Sequence, residues 1–261
     1  MSTDAAWEKW GQRDPYFGVI TNDKFRSNKL DDAARAEFFE SGKWHTHYIW
    51  TTCQQFFDPH FAPKRVLDFG CGVGRLLVPF AGLAEHVVGL DVSESMLKEA
   101  RRNCDGIGVK NVALAKSDDE LSAVKESSSS GSGFNLVHSA IVFQHIPPER
   151  GQNIFANLLD CLDPGGVGAI HLTYAKTAHA KTWGQPPPPP APAIPPPLAS
   201  KQPLLPEGDP EMQMNAYNLN HVLFALHRAG ITRFHTDFTD HGGELGVFLF
   251  FQKPQAASAT D

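Results

Sequence analysis

Between residues 64 and 174 the chain alternates short apolar runs with stretches whose apolar positions recur at helical spacing. The runs are RVLDF at 65–69, HVVGL at 86–90, NVALA at 111–115, FNLVHS at 134–139 and VGAIHLTY at 167–174. Amphipathic stretches separate them at 73–83, 93–103 and 149–162. Strand-like runs spaced by helical periods predict βαβ units, and so a parallel sheet covered on both faces. Right-handed crossovers then bring the strand-to-helix turns to one edge of the sheet, where a ligand crevice opens. Further on, NAYNLNHVLFALHRAG at 215–230 reads as one more amphipathic helix ending at Gly230. ITRFHTDF and GELGVFLFFQK, joined around Gly242 and Gly243, read as an antiparallel hairpin. The fold class expected is α/β: a doubly wound, mostly parallel seven-stranded sheet closed by that C-terminal hairpin.

The flanking segments have a different texture. DDAARAEFFESG at 31–42 and KWHTHYIWTTCQQFFDPHF at 43–61 read as helices rich in aromatic residues, forming a helical N-terminal cap over residues 1–60 that carries acceptor specificity. The main domain then runs over 61–253. Residues 186–197 are almost all proline, which fixes an extended backbone without donors, so 184–210 is expected to be a proline-rich insertion or flap outside the core. KESSSSGSG at 125–133 reads as a surface loop and 254–261 as a disordered tail. Ser93, next to Glu94, is a helix-start signal, and DPGG at 163–166 reads as a turn feeding the following strand.

Composition narrows the partners. With 261 residues, 41% hydrophobic and 20% charged, the chain suits one globular domain. Its formal net charge is -6 and no Lys/Arg run exceeds two residues, which argues against nucleic acid or an anionic membrane as partner and for a small molecule. The four cysteines have no paired spacing, no apolar run approaches the roughly 20 residues of a membrane span, and the first residues lack a secretory pattern, so a reduced, cytoplasmic protein is expected. Nothing in the pattern sets an oligomeric state.

The chemistry concentrates in VLDFGCGVGRLLVPF at 66–80, where Gly70, Gly72 and Gly74 follow a strand that ends in an acidic residue. Glycines at the carboxyl end of a strand permit a tight turn and let a ligand lie against bare backbone. The dinucleotide fingerprint does not fit, because Arg75 stands where its third glycine would be. Asp91, about 20 residues on at the end of the next run, is placed to accept the two hydroxyls of a ribose. These residues resemble the class I, seven-stranded, Rossmann-like S-adenosylmethionine-dependent methyltransferases, over roughly residues 60–174. The resemblance implies S-adenosylmethionine as cofactor, with Asp68, Gly70, Cys71, Gly72 and Gly74 around its methionine part and Asp91 on the ribose. It also implies Val92 and Met96 beside the adenine, and Ser117 and Asp118 flanking it with Asp118 as acceptor. SAIVFQHIP matches that family's loop after strand four. The Asn/Asp-Pro-Pro-aromatic motif of nucleic-acid amino methyltransferases is absent from it.

A methyl donor that is already activated asks the protein to align an acceptor and exclude water. An alcohol acceptor also needs its proton removed, and His145, just past strand four, is the candidate base, the alternative being a structural histidine. Gln144 is a weaker candidate for orienting the acceptor. The HTH at 45–47 cannot chelate a metal, since residues two apart on a helix point about 200 degrees apart. Trp44, Tyr48 and Trp50 read as cap core or pocket wall, and His241 with Glu244 as a hairpin turn within reach of the acceptor. Arg75 either neutralises a carboxylate near the glycine loop or covers the first helix. The function expected is methyl transfer to a small polar molecule, most simply to oxygen in a sugar-like or other metabolite hydroxyl. Open alternatives are nitrogen as the acceptor, a non-catalytic cofactor-binding module, and an adapter offering its proline run to a partner.

Overall fold

The computed structural model describes residues 3–128, 133–181 and 208–255. The proline run at 186–197 and most of the tail lie outside the described residues. Seven strands form one sheet: β1 Arg65–Phe69, β2 His86–Asp91, β3 Val112–Lys116, β4 Phe134–Ser139, β5 Leu162–Lys176, β6 Arg233–Asp240 and β7 Glu244–Gln252. Their order is β3-β2-β1-β4-β5-β7-β6, with the first five mutually parallel and β7 antiparallel to both of its neighbours. Chain direction across the sheet reverses between β1 and β4, which makes their carboxyl ends the switch point where a crevice forms.

The pleat sorts the core. Leu67, Val137 and Ile170 face one apolar layer with Ile154, Leu158 and Leu226. Val66, Leu136 and Ala169 face the other, with Ile49, Leu77 and Phe80. The helices are α1 Thr3–Arg13, α2 Pro15–Val19, α3 Asp32–Phe56, α4 Leu77–Ala81, α5 Glu94–Gly106, α6 Ser122–Ser128, α7 Pro148–Asp160 and α8 Leu219–Arg228. Ser93 caps α5 by accepting from the Met96 amide at 3.1 Å, and Asp31 caps α3 by accepting from the Ala34 amide at 2.8 Å.

Several local expectations change. The two aromatic-rich stretches form a single 25-residue helix, α3. Gly42 lets it press on the chain after the glycine loop, since a Cβ there would stand 2.2 Å from the Arg75 carbonyl oxygen. The first helix of the sheet is reduced to α4, residues 73–76 being turns. DPGG lies inside β5, which begins at Leu162 and absorbs those residues through a register shift against β4. α6 runs to Ser128, into the stretch expected to be loop. α1 and α2 fall within the expected helical cap but were not read as separate helices. They pack Trp10, Tyr16 and Phe17 against Phe25 and Phe38, with Val73 and Met96 of the sheet side in the same cluster.

Candidate cofactor and acceptor site

A cavity of about 1030 Å³ opens at the carboxyl edge of the parallel strands. Its walls come from the loop after β1, the ends of β2 and β3, the loop after β4, the β6–β7 turn, and α1, α2 and α3. Asp68, Gly70, Cys71, Gly72, Asp91, Val92, Met96, Ser117 and His145 all line it. Gly74 and Asp118 do not.

The glycine loop is held differently from the sequence expectation. Gly70 and Gly72 have φ of +77° and +52°, a region side chains disfavour. Protein atoms already crowd both: a Cβ on Gly70 would meet Val142 at 2.3 Å, and one on Gly72 would meet Val19 at 2.6 Å. The loop amides are engaged internally, Gly70 and Cys71 donating to the Leu90 carbonyl at 2.8 and 2.9 Å and Gly74 to the Cys71 carbonyl at 3.0 Å. The Gly72 amide donates to Asp91 Oδ2 at 2.8 Å. The glycines thus lock β1 onto β2, and the backbone donors expected to face a ligand are turned inward.

Asp91 is buried and also accepts from the Ser93 amide at 2.9 Å through Oδ1. Burial outweighs these two bonds and pushes its carboxyl up to about 6. Each oxygen keeps a second acceptor direction. Asp118 caps α6 instead of facing the cavity, accepting from the Ser122 amide at 2.8 Å; Asp119, one residue on, is the wall residue. Arg150 holds Asp119 through Nε at 2.7 and 2.8 Å and Asp4 of α1 at 2.6 and 3.0 Å, closing this end.

α1 is fastened over the cofactor side by Glu8, which accepts from Ser93 Oγ at 2.8 Å, Ser95 Oγ at 2.6 Å and the Ser95 amide at 3.2 Å. Burial opposes ionisation of Glu8, but the bonds from Ser95 and Ser93 outweigh it and hold the carboxyl near 2. Trp7 then lies edge-on to the His145 ring at 4.8 Å. Sequence reading missed this cover of Asp4, Trp7, Gly18 and Val19; its signals were the Trp7 and Trp10 spacing and Pro15 at a helix start.

Beside Trp7, His145 is buried, and burial pushes its imidazole down to about 4 despite a bond to the Gln213 carbonyl. Nδ1 donates to that carbonyl at 2.7 Å, and Nε2 faces the Gln144 amide nitrogen at 3.3 Å. Gln144 Oε1 accepts from Thr173 Oγ1 at 2.9 Å. Lys176 pairs with Glu244 Oε1 at 3.0 Å, and both line the cavity with His241. Of the HTH residues, His45 lines the cavity and His47 is exposed. His45 Nε2 meets His138 Nε2 at 2.9 Å, and His138 Nδ1 meets Asp68 Oδ1 at 2.8 Å. Arg75 lines the same corner, its Nε buried without a partner. Trp44 is 70% exposed and builds no pocket wall, whereas Tyr48 and Trp50 brace α3, donating to Asp237 and to the Phe61 carbonyl.

Residues 66–166 match the methyltransferase domain family. Among curated proteins, the chain is 33% identical over 135 residues to aklanonic acid methyltransferase DauC of Streptomyces sp. (strain C5), covering 51% of this chain and 57% of that one. It is 32% identical over 117 residues to trans-aconitate 2-methyltransferase of Acidovorax sp. (strain JS42), covering 43% and 40%. The chain therefore spans about half the length of these relatives. Among solved structures, it resembles magnesium protoporphyrin IX methyltransferase of Synechocystis PCC 6803 with a TM-score of 0.61, at 15% identity over 97% of this chain and 100% of that one. N-methyltransferase NodS of Bradyrhizobium japonicum WM9 gives 0.55 at 14% identity over 96% and 100%. Residues 66–166 thus carry a match to the methyltransferase domain family, set in a seven-stranded sheet whose fold is that of these solved methyltransferase structures.

Proposed function

We propose that this protein transfers a methyl group from S-adenosylmethionine to a hydroxyl of a small polar molecule. The observation that carries the reading is the continuity of one cavity of about 1030 Å³ from Asp91 and Ser117 to Lys176, His241 and Glu244. That is the upper end of the range for a single ligand, about 300–1,000 Å³, so a cofactor and an acceptor fit side by side. The cofactor's shape and charge match the walls. Asp91 keeps two acceptor directions for a ribose, Met96 and Val92 offer an apolar side to a purine, and Asp68 Oδ2 is a buried oxygen without a partner. When bound, the cofactor supplies an activated methyl on a sulfonium.

The chain's own contribution is placement and dryness. Gln144, fixed by Thr173, lines the cavity with its amide beside His145, which also holds the Gln213 carbonyl. Both His145 nitrogens being engaged, its role here is to position Gln144. The relatives' names, aklanonic acid, trans-aconitate and magnesium protoporphyrin IX methyltransferase, support a small-molecule acceptor. Calorimetry with S-adenosylhomocysteine tests the cofactor half: saturable one-to-one binding is expected, and absence of heat at millimolar ligand overturns it.

A further inference from the structure

We propose that Asp68, His138 and His45 form a proton relay whose open end, His45 Nδ1, takes the proton of the methyl acceptor. The inference rests on the reading above that the acceptor is a hydroxyl. The three residues come from β1, β4 and α3, so only the fold brings them into line. His138 is fully buried, between Asp68 Oδ1 at 2.8 Å and His45 Nε2 at 2.9 Å. A carboxylate accepts, so His138 Nδ1 carries the hydrogen and its Nε2 is left with a lone pair. That lone pair requires the hydrogen of the contact to sit on His45 Nε2, which leaves His45 Nδ1 as an acceptor. This atom has no partner among the described residues and is not fully buried, on a residue that lines the cavity.

The surroundings give the second ring a purpose. Burial opposes a positive charge on His45, as do the neighbouring His138, Arg75 and His171, and its ring lies edge-on to Tyr48 at 6.2 Å. His138 faces Asp68 as its charged neighbour, with Phe80 and Phe248 rings at 5.3 and 6.1 Å excluding water. In the step, the acceptor O–H bond breaks and its oxygen bonds the methyl carbon. The carbon–sulfur bond breaks with its electron pair staying on sulfur. The acceptor's proton goes to His45 Nδ1, while the proton on His45 Nε2 passes to His138 Nε2. The charge then rests on His138 beside the Asp68 carboxylate, behind the His45 ring. His45 is the catalytic residue; His138 and Asp68 are positioning residues.

The test uses the full chain labelled with ¹⁵N-histidine, with S-adenosylhomocysteine as the probe, and His45→Gln to assign signals. Nitrogen–proton correlation spectra are expected to give His138 protonated at Nδ1 and His45 at Nε2; His45 protonated at Nδ1 overturns the relay, whether or not an acceptor is in hand. With an acceptor recovered from a product survey, His45→Gln is expected to lower the single-turnover rate about 100- to 10,000-fold while probe affinity stays within about twofold. Imidazole added to His45→Ala should restore part of the rate, which a merely structural histidine would not permit; a rate within threefold of wild type in both variants overturns the proposal. Failure of the wild type to bind the probe defeats the cofactor reading instead, and the histidine spectra still decide the relay.

Discussion

Asp91 combines two demands that pull in opposite directions. Its carboxyl is raised to about 6 by burial, yet it fastens the glycine loop through Gly72 and the start of α5 through Ser93. A group whose folded pKa is raised binds its proton more tightly in the folded state. Its ionisation therefore works against folding as pH climbs from about 4 through 6. A ligand that donates two hydroxyls favours the ionised form, so affinity for S-adenosylhomocysteine is expected to fall as pH drops below about 6, and calorimetry at pH 5 and 7.5 measures it. Asp91→Ala should weaken that affinity by about 1.5–3 kcal/mol, the value of a hydrogen bond to a charged group. Gly70→Ala adds a methyl 2.3 Å from Val142 at a φ of +77°, which predicts a lower melting temperature. Val142→Ala in the same chain should recover part of the loss, and no recovery would mean that backbone strain alone is responsible. That Asp68, Gly70, Gly72 and Asp91 would meet at one crevice was legible in the sequence because short local motifs encode them, whereas Gly74 lies off its wall. The partnership of His45 with His138 was not, because 93 residues separate them and no local period records the contact.

At the scale of elements, the strands read well from their apolar runs, and β1 and β4 have the bounds that RVLDF and FNLVHS give. α1 and α2 did not, because their burial depends on a tertiary partner: Tyr16 bonds Glu99 and Asn103 of α5, each at 2.9 Å, and Asn103 in turn bonds the Val73 carbonyl of the glycine loop at 2.9 Å. Glu8 fixes α1 over the same helix. Its lowered carboxyl means that this anchor is complete at neutral pH and is lost as pH falls from about 4.5 toward 2. Glu8→Ala should therefore loosen the cover and weaken probe binding at pH 7, with faster amide exchange over residues 3–19 as the second readout. Unchanged exchange would mean that Trp10 and Tyr16 packing suffices. Trp44, read from composition as core or wall, is exposed because α3 turns Ile49 and Cys53 inward.

For the whole molecule, the cavity is assembled from both ends of the chain as well as its middle. Arg26 of the N-terminal segment holds Asp209 at 2.6 Å and Asp14 at 3.0 Å, and the Asp209 side chain is fully buried. The insertion drawn from the sequence at 184–210 therefore includes a residue of the packed structure. Replacing 184–205 by a short Gly/Ser linker is expected to keep a single cooperative melting transition. A replacement carried through Asp209 removes one of the two carboxylates that Arg26 holds, and is expected to lower the melting temperature. Equal melting temperatures for the two would refute that boundary. No helix among the described residues is long and apolar enough to cross a membrane. The measurement that bears most directly on the function is transfer of an isotopically labelled methyl from S-adenosylmethionine into small molecules of a cell extract, followed by mass spectrometry. Wild type should yield at least one labelled small-molecule product that Asp91→Ala forms more slowly at the same cofactor concentration. Tight binding of S-adenosylhomocysteine without any labelled product would contradict the account and leave a binding module.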